Sequence, residues 1–214
     1  MKYKFAFFDL DGTLADTDPD IRRAWRAAIQ DEGLECPRFE ELFVAGPPFD
    51  EMTAIFFPER QDIPELASRL RAHFARHYDH DGFALTKEYP GVMDAVKAMK
   101  AEGTKVYIVT NKRHLGTLAN AKYFGWDQVF DGLYSTDMYR ETLGVLKKGE
   151  LLRRIMDELG AKREESVMIG DSIRDFEAAD AVGIASIGVK WGYGTEVELA
   201  RAGRVVESST QFMV

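Results

Sequence analysis

Cysteine is almost absent from this sequence, and long apolar runs are absent altogether. The 214 residues include one cysteine, Cys36, which excludes an internal disulfide and a thiolate metal cluster and is typical of a reducing compartment. No apolar run approaches the ~18 residues of a membrane-spanning helix. We therefore expect a cytoplasmic protein with no membrane partner.

Positive charge is also scarce. Lysine and arginine together number 28 against 36 aspartates and glutamates, which gives a formal net charge of −8 at pH 7. This balance repels the phosphate backbone of nucleic acids at long range, so we expect no nucleic-acid partner. A small anion remains compatible with the charge if cations are concentrated locally around it.

Short apolar runs that end in small or polar residues recur along the chain and are typical of buried β-strands. They lie at 5–8, 106–109, 132–134, 167–169 and 185–189. Helical patterns lie at 91–102, 114–124, 148–159 and 174–181, each followed within a few residues by a glycine, the usual helix stop. This alternation predicts an α/β fold with a doubly wound parallel sheet, covered by helices on both faces.

Residues 16–85 interrupt the alternation. Helical patterns at 20–32, 49–57 and 64–77 follow one another there with no convincing strand between them. We interpret 16–85 as an all-helical cap domain inserted into a core formed by 1–15 and 86–214. Because the insert leaves the core directly after the first strand, we expect it to cover the site at that strand end and to exclude water.

Two carboxylates, Asp9 and Asp11, follow the first apolar run. The ends of parallel strands are where open α/β sheets place their chemistry. Residues at i and i+2 of a strand point to the same face, which suits a nucleophile paired with a proton donor, or a hard metal ion. Gly12 then allows the backbone to turn sharply.

Three further groups follow later strand ends. Thr110-Asn111 offers a hydroxyl and a backbone N–H that suit phosphate oxygens, and Lys148 opens a helix with an ammonium. Asp171 and Asp175 add carboxylates to an oxygen-rich pocket that suits Mg²⁺. Each group alone is also explained as a turn, a helix cap or a solvated helix residue. Their joint occurrence at strand ends favours a functional site.

In this order the motifs resemble those of the haloacid dehalogenase superfamily, and within it the capped phosphatases, over nearly the whole chain. The resemblance implies Asp9 as nucleophile, Asp11 as general acid and base and as a metal ligand through its main-chain carbonyl, Thr110 and Asn111 as phosphate binders, Lys148 as stabilising cation, and Asp171 and Asp175 as ligands of Mg²⁺ with Asp9. Asp175 has orientation of Lys148 as an alternative role. The implied reaction is Mg²⁺-dependent hydrolysis of a small phosphorylated metabolite through an aspartyl-phosphate, because dehalogenases lack the acid at the position of Asp11.

Short stretches of the sequence indicate which branch of the superfamily the chain resembles. Residues 18–21, 89–92 and 188–194 look like the phosphoglycolate phosphatase group, whereas 46–49 and the lysine that directly opens its helix look like a 5′-nucleotidase-like branch. Phosphoglycolate and a nucleotide monophosphate are therefore the leading substrate candidates. Lys147 competes with Lys148 for the cationic role, and the resemblance favours Lys148, because the lysine of this branch lies just before the pattern x-x-Leu-Leu, met here by Glu150-Leu151-Leu152. Gly192-Tyr193-Gly194 is too short for a dinucleotide site and is interpreted as a backbone loop bordering the pocket.

Other functions compete with hydrolysis. A phosphosugar mutase of the same superfamily would use the same motifs, and a phospho-aspartate receiver or binding module would also use strand-end carboxylates, a hydroxyl and a lysine. A phosphonate-cleaving relative needs a cap lysine, and 16–85 contains none. The sequence leaves monomer and homodimer open.

Overall fold

The computed structural model describes residues 3–80 and 83–213. The β-strands of these ranges are β1 Phe5–Phe8, β2 Ala15–Asp16, β3 Lys87–Glu88, β4 Lys105–Thr110, β5 Gly132–Ser135, β6 Ser166–Gly170, β7 Ala185–Val189 and β8 Arg204–Val206. The α-helices are α1 Asp18–Asp31, α2 Phe39–Leu42, α3 Phe49–Phe56, α4 Ile63–His80, α5 Val92–Ala101, α6 His114–Phe124, α7 Arg140–Leu143, α8 Lys148–Leu159, α9 Ile173–Val182 and α10 Glu196–Leu199. Short 3₁₀ turns occupy Trp126–Gln128, Arg163–Glu165 and Ser209–Met213.

Six strands form one parallel sheet in the order β5-β4-β1-β6-β7-β8. β1 lies inside the sheet, and Phe8 pairs with Ile108 of β4 on one side and with Ile169 of β6 on the other. The chain winds outward in both directions from this point, so the ends of β1, β4 and β6 meet where the strand order reverses. The predicted doubly wound parallel sheet is confirmed.

The central strands β1, β6 and β7 and most of β4 are buried on both faces because they are mainly apolar. Ala6 and Phe8 of β1 point into one core layer, whereas Phe7 points into the other, and all three are fully buried. Trp126 lies in the first layer, and Leu151 and other residues of α8 lie in the second. This two-sided burial explains why the strands read as continuous apolar runs. No helix of the described residues is long and apolar enough to cross a membrane.

Two β-sheet features outside Thr17–Thr86 were not predicted from the sequence. β8 adds a sixth strand to the sheet, but it is three residues long and Val205 is exposed, which leaves no apolar run to detect. β2 and β3 form a two-residue antiparallel ribbon in which Ala15 pairs with Glu88 and Asp16 with Lys87. The ribbon marks where the chain leaves the core unit and returns to it.

The chain divides into two compact units, and the smaller one comprises Thr17–Thr86. Its described residues hold α1 to α4 and no strand. Its core is aromatic: Trp25 stacks on Phe49 with ring centroids 3.8 Å apart. Asp20 is fully buried and its Oδ2 accepts bonds from the backbone N–H of Thr86 at 2.7 Å and from the Thr86 hydroxyl at 2.8 Å. This contact joins the two ends of the unit.

Candidate active site

The carboxyl ends of β1, β4 and β6 carry the groups that the sequence singled out. Asp9 directly follows β1, Thr110 ends β4 and Asp171 directly follows β6. The turn after β1 requires glycine at position 12, which has φ +79°, and a Cβ on Gly12 would lie 2.3 Å from Asp171 Oδ2. The backbone of the first motif therefore packs against the carboxylate of the last.

Three buried carboxylates form the centre of the site. One oxygen from each of Asp9, Asp171 and Asp175 lies within 4.8 Å of the others. Asp175 reaches the cluster from the first turn of α9, where its Oδ2 accepts the N–H of Ser172 at 3.0 Å and the Ser172 hydroxyl at 2.9 Å. The helix cap thus fixes Asp175 in place.

Burial and neighbouring negative charge raise the pKa values of two of these carboxyl groups, Asp9 and Asp171. Burial, reinforced by the neighbouring carboxylates, raises the pKa of Asp9 to about 6 even though Lys148 opposes the shift. Burial and the charges of Asp175 and Asp9 raise the pKa of Asp171 to about 8. Asp9 and Asp171 therefore bind protons more strongly than ordinary carboxylates do.

Lys148 is the cation at the centre of the cluster. Its side chain is 4% exposed, and Nζ donates to Asp175 Oδ1 at 2.5 Å. Nζ also lies 2.8 Å from Asp9 Oδ1, with which it makes an ion pair. Burial opposes the charged lysine, but the Asp175 and Asp9 carboxylates outweigh it and raise the pKa of Lys148. Lys147 is exposed, so the structure places Lys148 and not Lys147 at the cluster.

The loop after β7 holds Asp171. The backbone N–H of Tyr193 donates to Asp171 Oδ2 at 2.7 Å, and the hydroxyl of Thr13 donates to Oδ1 at 3.3 Å. A Cβ on Gly192 would lie 2.3 Å from Asp171 Cβ, so the close approach needs a glycine. The Gly192-Tyr193-Gly194 stretch is thus a backbone loop against a site residue.

The end of β4 supplies a hydroxyl and a second ammonium. Thr110 is buried and its Oγ1 accepts the N–H of Lys112 at 3.1 Å, whereas Asn111 is exposed. Lys112 Nζ donates to Asp11 Oδ1 at 2.8 Å, with the Lys112 side chain 7% exposed. The sequence reading missed Lys112. Its position two residues after a strand-end threonine was the available signal.

Together these residues place carboxylates, a hydroxyl and two ammonium groups at neighbouring strand ends. Asp9 and Asp11 lie on the same strand end, each paired with its own lysine, Lys148 and Lys112 respectively. A carboxylate nucleophile can attack a phosphoryl group only if cations or donors offset the charge on its oxygens.

Comparisons with known proteins agree with this geometry. A family model described as haloacid dehalogenase-like hydrolase matches residues 6–189. A 5′-nucleotidase from Pseudomonas aeruginosa is 29% identical over 202 residues, which cover 93% of this chain and 88% of the relative. A phosphoglycolate phosphatase from Aliivibrio fischeri is 29% identical over 198 residues, which cover 89% of this chain and 85% of the relative.

The same fold occurs in solved structures. A haloacid dehalogenase-like family hydrolase from Streptococcus pneumoniae superimposes with a TM-score of 0.82 at 21% identity, over 99% of this chain and 97% of that one. The chain therefore belongs to the haloacid dehalogenase-like hydrolase family. Within that family it is an enzyme of the phosphatase class.

Proposed function

We propose that the protein is a Mg²⁺-dependent phosphomonoester hydrolase that acts through an aspartyl-phosphate on Asp9. The observation that carries the proposal is the strand-end pair Asp9 and Asp11 with Lys148 Nζ 2.8 Å from Asp9. This arrangement supports the proposal because phosphoryl transfer needs a nucleophile, a proton donor and a nearby cation.

Asp9 performs the first displacement. One of its oxygens attacks phosphorus, the bond from phosphorus to the leaving oxygen breaks, and the phosphoryl group becomes an acyl phosphate on Asp9. Lys148 offsets charge on the transferring oxygens, while the Thr110 hydroxyl and the Asn111 N–H hold them. Asp175 keeps Lys148 in position, since its Oδ1 accepts the lysine at 2.5 Å and its Oδ2 is held by Ser172.

Asp11 handles the protons in both halves of the reaction. Its protonated carboxyl donates to the leaving oxygen as the first bond breaks. The resulting carboxylate then takes a proton from the water that attacks the phosphorus of the acyl phosphate, which releases inorganic phosphate and regenerates Asp9. A single carboxyl two residues from the nucleophile is placed to serve both steps.

The residues present fit Mg²⁺. Asp9, Asp171 and Asp175 gather three buried carboxylates, and one oxygen of each lies within 4.8 Å of the others. Asp9 and Asp171 would hold the ion directly together with the main-chain carbonyl of Asp11, and Asp175 would contact it directly or through water. Mg²⁺ bound there would neutralise the phosphoryl oxygens and the nucleophile during attack.

The substrate is a small phosphorylated metabolite. The names of the relatives support two candidates, phosphoglycolate and a nucleotide monophosphate. Release of inorganic phosphate in a fixed ratio to the alcohol distinguishes a hydrolase from a mutase, which returns the phosphoryl group to a sugar. Multiple turnover distinguishes both from a phospho-aspartate receiver.

The test compares Asp9→Asn with the wild type on p-nitrophenyl phosphate, in EDTA and with added Mg²⁺. Asp94→Asn is the matched control, because Asp94 is an exposed aspartate on α5. We expect Asp9→Asn to lower kcat by about 10³-fold or more and Asp94→Asn to leave it unchanged. Acid-quenched wild type should carry phosphate that hydroxylamine releases, as acyl phosphates do. Full turnover by folded Asp9→Asn, or by wild type in EDTA, would contradict the proposal.

A further inference from the structure

The second buried ammonium of the site, that of Lys112, has no part in the steps described above. Its Nζ lies 2.8 Å from Asp11 Oδ1, and its side chain is only 7% exposed. The backbone N–H of Lys112 is held by Thr110 Oγ1, so the lysine extends from the same turn that offers the phosphate-binding hydroxyl. Burying an ammonium costs free energy unless the charge is paired or used.

The two lysines serve different sides of the reaction. Lys148 contacts Asp9 and Asp175, on the side of the nucleophile, whereas Lys112 contacts Asp11, the proposed proton donor. A proton donor has to come within about 2.6–3.2 Å of the leaving oxygen. The Lys112 ammonium lies 2.8 Å from Asp11 Oδ1, so when Asp11 donates its proton the ammonium is at most about 6 Å from the leaving oxygen. A leaving group that Asp11 protonates would therefore depart within reach of the Lys112 ammonium.

That position suits a negative charge carried by the leaving group. A carboxylate on the carbon next to the ester oxygen would be within reach of the ammonium and could accept a hydrogen bond from it. Charge-assisted bonds of this kind are about twice as strong as neutral ones, and burial strengthens them further. A neutral leaving group would give Lys112 no such partner.

We propose that Lys112 is a specificity-determining residue, and that the preferred substrates are phosphomonoesters whose leaving group carries a carboxylate beside the ester oxygen. This inference rests on the proposed hydrolase function and on the role of Asp11 within it. A purely structural Lys112, which only offsets the charge of Asp11, predicts equal effects on every substrate.

The experiment measures kcat/KM for three esters with the wild type, Lys112→Met and Lys112→Arg. 2-Phosphoglycolate has the anionic leaving group, 2-hydroxyethyl phosphate is its neutral counterpart of similar size, and AMP has a neutral nucleoside. Lys122→Met is the matched control, because Lys122 is an exposed lysine on α6. p-Nitrophenyl phosphate monitors general phosphatase activity.

We expect the wild type to prefer 2-phosphoglycolate over 2-hydroxyethyl phosphate by at least about tenfold, the size of one charged hydrogen bond. Lys112→Met should remove this preference, mainly through a higher KM for 2-phosphoglycolate. Lys112→Arg should retain part of it because the charge is kept, and Lys122→Met should retain all of it.

Two results would overturn the inference and leave the proposed function standing. One is a wild type that hydrolyses these esters without preferring the anionic leaving group, a result that needs no variant to fold. The other is a Lys112→Met enzyme that loses activity equally on all substrates. A wild type inactive toward all four esters would instead overturn the proposed function together with the inference that depends on it.

Discussion

Removal of the Lys148 ammonium should cost the protein stability as well as activity. Lys148 is 4% exposed and lies between the Asp9 and Asp175 carboxylates. In Lys148→Met the aliphatic stem is kept, but two buried carboxylates lose their shared cation. Breaking a buried pair in this way costs about 3–5 kcal/mol, and we expect the free energy of unfolding in metal-free buffer to fall by that amount at pH 8.

A second substitution separates charge from packing. Asn at position 175 keeps an oxygen that accepts the Ser172 N–H but removes one negative charge. We therefore expect Lys148→Met/Asp175→Asn to be more stable than Lys148→Met, with a coupling energy of about 0.5–3 kcal/mol. The cost of Lys148→Met should also be smaller at pH 5 than at pH 8, because the pKa of Asp9 is about 6 and a protonated Asp9 needs no cation. Activity should not return in the double variant.

Urea denaturation of the wild type, both single variants and the double variant at pH 5 and pH 8 completes the cycle. A Lys148→Met protein as stable as the wild type would show that the ion pairs contribute little. A double variant less stable than Lys148→Met would refute the charge argument, and one that recovers turnover would remove Lys148 from the proposed mechanism.

Two other predictions concern pH and the smaller unit. Since the pKa values of Asp9 and Asp171 are raised from 3.8 to about 6 and about 8, the folded state binds these protons more tightly, and stability in EDTA should fall as pH rises through that window. Asp171→Asn should flatten the decline in urea titrations, and an equally steep slope would contradict it. Asp20→Ala removes the carboxylate that accepts two hydrogen bonds from Thr86, and we expect it to lower the free energy of unfolding of Thr17–Thr86 by about 3 kcal/mol. The control is Asp50→Ala, at an exposed aspartate of the same unit. Equal stability of the two variants would refute the role of Asp20.

Local pattern was enough to predict the core strands and the carboxylates at their ends. The apolar run that ends at Phe8 is continuous because β1 is buried on both faces, and Asp9 is the first residue beyond it. The preference for Lys148 over Lys147 agrees with their burial, but it was drawn from the family resemblance and not from physical chemistry. β8 escaped prediction because its pairing with β7 is made by three residues with no apolar run of their own.

The sequence by itself determined the order of strands and helices and the positions of the chemical groups along the chain, because apolar periodicity and strand ends are local properties. Only the tertiary structure decided which lysine meets which carboxylate. The Lys112–Asp11 contact joins residues 101 positions apart, and the N–H of Tyr193 that holds Asp171 is a backbone group that every residue except proline carries. Such contacts depend on the register of parallel strands and on the paths of the loops between them. Neither the register nor the loop paths can be predicted from a local sequence pattern.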